Sequence, residues 1–115
     1  MIIRIENLPD ITEPGYPLIM RQVVTRDKAA GLSVTWVQIW GEHPGMRTDE
    51  ADRVYYVIEG TGSFKVGDEP SGDVAAGDVV LIPRGIPYWF SGDMTYLVMN
   101  GPAFRPGSDV LVPPG

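Results

Sequence analysis

Apolar and polar residues alternate over short segments that glycine or proline interrupts every few positions. Between the breaks cluster Val, Ile, Tyr, Trp and Phe, the side chains that suit a pleated, half-buried surface. The pattern predicts strands near Ile2–Ile5, Pro17–Val24, Leu32–Trp40, Arg53–Glu59, Ser63–Val66, Val79–Ile82, Tyr88–Ser91, Met94–Asn100 and Val110–Val112. One helical turn is expected, at Thr25–Ala30. Turn chemistry stands at Glu13-Pro14-Gly15, Val66-Gly67-Asp68, Ala76-Gly77-Asp78 and Pro83-Arg84-Gly85. Many short strands at close spacing imply an all-β fold, a sandwich or barrel of antiparallel strands.

The period of two also sorts faces. Arg53, Tyr55 and Val57 point one way, and Val54, Tyr56 and Ile58 the other. Tyr88 and Phe90 share a face, with Trp89 opposite. Trp36, Gln38 and Trp40 line one face of their strand, and a bulge expected near Pro44-Gly45 leaves that face unassigned.

The length of 115 residues fits one domain, residues 1–115. Nine Lys and Arg against 15 Asp and Glu give a formal charge of −6, which opposes nucleic acid and anionic membrane as partners. No cysteine is present, so disulfides, zinc–thiolate sites and thiol catalysis are excluded. No apolar run is long enough to span a bilayer, and the first residues turn polar too early for a signal peptide. A cytoplasmic protein is the expectation.

Two stretches together resemble the cupin family. Pro44-Gly45-Met46-Arg47-Thr48-Asp49-Glu50, leading into Arg53-Val54-Tyr55-Tyr56-Val57-Ile58-Glu59-Gly60, parallels the family pattern G-x5-H-x-H-x3,4-E-x6-G. Gly77 to Tyr88 parallels G-x5-P-x-G-x2-H-x3-N, with Gly77, Pro83 and Gly85 at family spacing. The resemblance covers roughly residues 32 to 104 and implies an antiparallel jelly-roll β-barrel with a central pocket. The family's metal ligands have no counterparts here. The histidine pair falls on Arg47 and Asp49, or on Met46 and Thr48, the glutamate on Arg53, the last histidine on Tyr88 and the asparagine on Gly92.

A transition ion there would need three or four imidazole or carboxylate ligands. A divalent ion about 5 Å from a guanidinium is repelled by roughly 6–7 kcal/mol at an effective dielectric of ~20. No metal and no cofactor is therefore expected. The family glutamate faces the cavity, so the resemblance places Arg53 and Tyr55 inside. Two readings of Arg53 stand side by side: a partner among Asp49, Glu50 and Asp52, or a ligand anion. The aromatics are expected mainly as core. His43, the single histidine, reads as an exposed loop residue, and Glu42, Asp49, Glu50 and Asp52 as a solvated acidic face.

The leading expectation is a pocket for a small polar or anionic molecule, lined by Arg47, Arg53, Tyr55, Tyr88, Gln38 and Phe90. The alternative is an enzyme similar to metal-free sugar epimerases, with Tyr88 or Tyr55 donating a proton and Asp49 accepting one. An unusual metal-dependent cupin and a non-enzymatic subunit complete the set. A homodimer is expected, with Ile2-Ile3-Arg4-Ile5 as its edge strand.

Overall fold

The computed structural model describes residues 1–114. Three long strands carry the architecture: β3 (Ser33–Thr48), β4 (Asp52–Val66) and β7 (Tyr88–Gly101). β7 lies between the other two and pairs antiparallel with both along almost its whole length. Shorter strands extend each half of this trio. β2 (Leu18–Val24) and β6 (Val79–Ile82) flank the halves of β3 and β4 on which Trp36 and Tyr55 lie. β8 (Asp109–Leu111) and β5 (Gly72–Ala75) flank the other halves, and β1 (Ile11–Thr12) closes the edge of β2.

Each long strand thus serves both halves of one eight-stranded antiparallel sheet, which folds face to face as a jelly roll. Leu18, Val37 and Tyr96 from one half pack into the same core cluster as Phe64, Tyr88 and Phe90 from the other. Glycines make the crease. Gly41, Gly92 and Gly62 are cross-strand partners on three adjacent strands. A Cβ on Gly92 would lie 2.7 Å from the Thr61 carbonyl oxygen and 2.9 Å from the Gly62 Cα, so no larger residue fits. Near this crease the β4–β7 register shifts between Val57 and Glu59, and Gly60 adopts φ +86°.

The breaks expected around residues 60–62 and 92–93 are therefore bends within continuous strands. Glycine there removes a steric obstacle while the ladder runs on. The strand expected at Ile2–Ile5 is absent: Ile5–Asn7 form a 3-10 turn and Ile2 is 81% exposed. The outer edge of β2 is taken instead by β1, whose Ile11 pairs with Met20. The candidate helical residues Thr25–Ala30 make only an isolated turn. The bulge near Pro44-Gly45 is present as a register shift between His43 and Met46. Among the described residues, no helix is long and apolar enough to cross a membrane.

Candidate functional site

The alternation along β4 turns Arg53, Tyr55 and Val57 into the interior, where all three are buried. Asn100 stands directly opposite Arg53 on β7. Three nitrogens of the guanidinium are engaged. Nε donates to Asn100 Oδ1 at 2.6 Å, Nη1 to Tyr88 Oη at 2.7 Å and Nη2 to Asp109 Oδ1 at 2.8 Å. A buried cation without such partners would be strongly destabilising. Burial works against its charge, but the Tyr88 and Tyr55 hydroxyls and Asp109 more than offset this, holding the Arg53 proton more tightly than in water.

Tyr88 passes the chain on. Its hydroxyl lies 2.7 Å from that of Tyr55, inside a cluster completed by Phe64, Phe90 and Tyr96. Burial raises the Tyr88 pKa above the ordinary phenol value, and Arg53 pulls it back. Tyr55 is raised well above it, first by burial and then by its tyrosine neighbours. Both hydroxyls keep their protons at neutral pH, and Arg53 is placed to stabilise charge that develops on Tyr88.

His43 joins this group, against the expectation of an exposed loop residue. β3 runs through it, opposite Phe90. Its ring stacks on Phe90 with centroids 4.5 Å apart, and lies 6.5 Å from the Tyr88 ring. Nδ1 is 2.8 Å from the Pro44 carbonyl oxygen. A carbonyl accepts only, so Nδ1 carries the proton and Nε2 keeps a lone pair. Burial pushes the His43 pKa down, against the opposing pull of the Pro44 carbonyl and Asp109. The ring is neutral at pH 7. It lines an open groove of about 560 Å³ with Phe90, Trp89 and Val112. A signal was available: positions 37, 39, 41 and 43 share one face, and Val37 and Ile39 are buried.

Arg53, Tyr55, Tyr88 and Phe90 are brought together, and the other expected residues are not. Gln38 is exposed on the outer face, between buried Val37 and Ile39. The extra residue at the bulge turns Met46 toward the core and Arg47 away from it. Arg47 pairs instead with exposed Asp49 at 3.1 Å, which removes both from the interior. Glu50 pairs with Arg105 and Asp52 with Arg84, so the acidic residues serve separate surface contacts. The carboxylate that meets Arg53 comes from Asp109 on β8, not from the β3–β4 turn.

These residues do not fit a bound transition ion. Among the described residues, no three His, Asp or Glu side chains come together as ligands. The position that would supply a central carboxylate carries the Arg53 cation, already tied to Asp109.

No curated protein matches the sequence. Solved structures do match the fold. Pac13, a nucleoside dehydratase known from Streptomyces structures, aligns at TM-score 0.82 and 18% identity, covering 97% of this chain and 90% of that one. Variants of it with a tyrosine replaced by phenylalanine or a histidine by glutamine have been solved with uridine. The polyketide cyclase RemF from Streptomyces resistomycificus aligns at TM-score 0.80 and 21% identity, covering 100% and 87%. KdgF from a Halomonas species aligns at 0.78 and 14%, covering 91% and 96%. The family model described as the cupin domain matches residues 38–99, more than half of the chain, and the protein belongs to that family.

Proposed function

We propose that this cupin is an acid–base enzyme that works without a transition metal on a small hydroxyl-bearing molecule of the sugar or nucleoside type. The observation that carries the reading is His43. Its neutral ring, with a free Nε2, stacks on the aromatic cluster that holds the Tyr88–Tyr55 hydroxyl pair. Nε2 takes a proton from carbon. Once substrate enters the barrel interior, Tyr88, fully buried in the free protein, returns one, either to a departing hydroxyl, releasing water, or to carbon, giving an isomer. Arg53 stabilises the phenolate as it forms. Solved structures of Pac13 with uridine include variants at tyrosines and a histidine, the same residue types gathered here.

The test is a panel of sugars and nucleosides in deuterated water, followed by NMR for proton exchange or loss of water. His43→Gln and Tyr88→Phe should each lower the rate of the active substrate by roughly a hundredfold or more while leaving the fold intact. Absence of turnover and exchange across the panel, or an unchanged rate in His43→Gln, sinks the proposal.

The same histidine sets a pH dependence. Its folded pKa lies below the unfolded value of 6.5, so the unfolded chain binds more protons as the pH falls through that range. Stability from the neutral ring is complete above about pH 6.5 and is lost as the pH drops through the folded pKa. Melting temperatures between pH 7.5 and 5 should fall more steeply for the wild type than for His43→Gln.

A second copy of the chain is the partner we propose. Val79, Tyr56, Leu97 and Trp36 form one cross-strand row on the outer face, with Leu81, Val54, Met99 and Val34 in the next. Val79 is 61% and Leu81 59% exposed. Counting β2 as well, five strands at ~4.8 Å and some seven residues at ~3.3 Å give roughly 550 Å² before side-chain relief, about two-thirds of the ~800 Å² per partner of a stable interface. Both rows are uncharged across β6, β4, β7 and β3, and Arg21 at the β2 end lies over the Trp36 ring, so an identical apolar face matches their centre. Light scattering should give a dimer for the wild type and a monomer for Leu81→Glu.

A further inference from the structure

We infer that the cavity beneath the β7–β8 loop is an anion site, taking the phosphate or carboxylate group of a small molecule. It lies apart from the His43 groove and depends on neither His43 nor turnover. The cavity holds about 300 Å³, at the lower end of the sizes that take small-molecule ligands. Three chain segments meet around it: the turn after β2, the β3–β4 turn and the loop of residues 102–108.

Each segment or strand end brings a group suited to an anion. Arg26, Arg53 and Arg105 all line the cavity, so three of the nine basic residues of a chain with charge −6 converge on one small volume. Glu50 is the one carboxylate in the lining, and it pairs with Arg105. Asp109 pairs with Arg53. Among the described residues, three guanidiniums against two carboxylates leave one positive charge in excess, and Arg26 is the cation without a carboxylate among the cavity's ion pairs. Its single hydrogen bond, to the Ala103 carbonyl oxygen, is long at 3.4 Å.

Donors outnumber acceptors as well. Arg53 has five N–H groups and uses three, leaving one on each terminal nitrogen. The buried Thr48 hydroxyl accepts from the Glu50 amide, so its own proton is free to donate. Ser108 adds a second hydroxyl at the lining. Planar guanidiniums and hydroxyls facing a shared cavity recognise oxyanions, and like charges gathered this way repel until an anion lies between them.

Inorganic phosphate and succinate, titrated separately into ¹⁵N-labelled protein at constant ionic strength, distinguish the two ligand groups. Saturable shifts are expected for at least one of them, confined to residues 48–51 and 100–108. Arg26→Ala and Arg105→Ala should each weaken that binding roughly tenfold, the worth of one charge-assisted hydrogen bond. Arg47→Ala, which removes a half-buried arginine paired with Asp49 outside the cavity lining, should leave it unchanged. Arg26 and Arg105 are exposed, so their loss leaves the core intact. Absence of saturation with either anion, undiminished binding in the Arg26→Ala, Arg105→Ala double variant, or an equal loss in Arg47→Ala overturns the inference.

Discussion

Replacing Arg53 by methionine is expected to destabilise the fold by about 3–5 kcal/mol, the usual consequence of removing one partner from a buried ionic network. Three groups lose their donor at once: Asn100 Oδ1, the Tyr88 hydroxyl and Asp109. Methionine fills part of the volume, so the loss reports polar groups left without partners more than a cavity. Arg53→Lys keeps the charge but cannot reach three acceptors in different directions, and should fall between wild type and methionine. Asp109→Asn should be milder, because the Asp109 side chain is 26% exposed and water can replace part of what is lost. Urea denaturation of the four proteins gives the order directly. A loss below about 1 kcal/mol for Arg53→Met would falsify the view that this network holds the two halves of the sheet together.

Gly60→Ala should be nearly as damaging, at about 3–5 kcal/mol. Two penalties combine there. The backbone sits at φ +86°, where a Cβ costs about 1–2 kcal/mol. That Cβ would also lie 2.2 Å from the Asp93 carbonyl oxygen and 2.6 Å from the Met94 Cα, so backbone must move. Gly72→Ala provides the control. Nothing lies within 4 Å of its Cβ position, and it should change stability by less than 1 kcal/mol in either direction. Equal effects at the two positions would show that close strand approach is not what Gly60 provides.

Much of the strand pattern was legible because period-two alternation survives in each segment. The bounds of β6 follow from the pattern; counting pairs Arg53 with Tyr55 and Tyr88 with Phe90 on shared faces, and the cupin resemblance turns Arg53 and Tyr55 inward. The long strands were cut too short because glycine has two uses that look identical in sequence. At Gly77 it sits in a tight turn, whereas at Gly62 and Gly92 it lets paired strands bend together. β5, Gly-Asp-Val-Ala, was missed because it pairs through its backbone and buries little. The site divided in the same way. The inward positions near Arg53 could be counted, but Asp109 lies 56 residues away and only the closed barrel brings it there. The place of His43 is not legible in the sequence because Pro44-Gly45 reads as a turn, while the chain makes a bulge and keeps pairing.

The glycine row at the crease also bears on how faithfully the chain assembles. Sliding β7 by one residue along its neighbours would expose its apolar side chains, so binary patterning forbids it. A two-residue offset keeps every side chain on its proper face, and patterning cannot tell it from the native alignment. Such an offset would carry Phe90 or Met94 to the place of Gly92, where a Cβ would meet backbone atoms at 2.7 and 2.9 Å. The three glycines therefore proofread alignment, rejecting the misregistered barrels that hydrophobicity would accept.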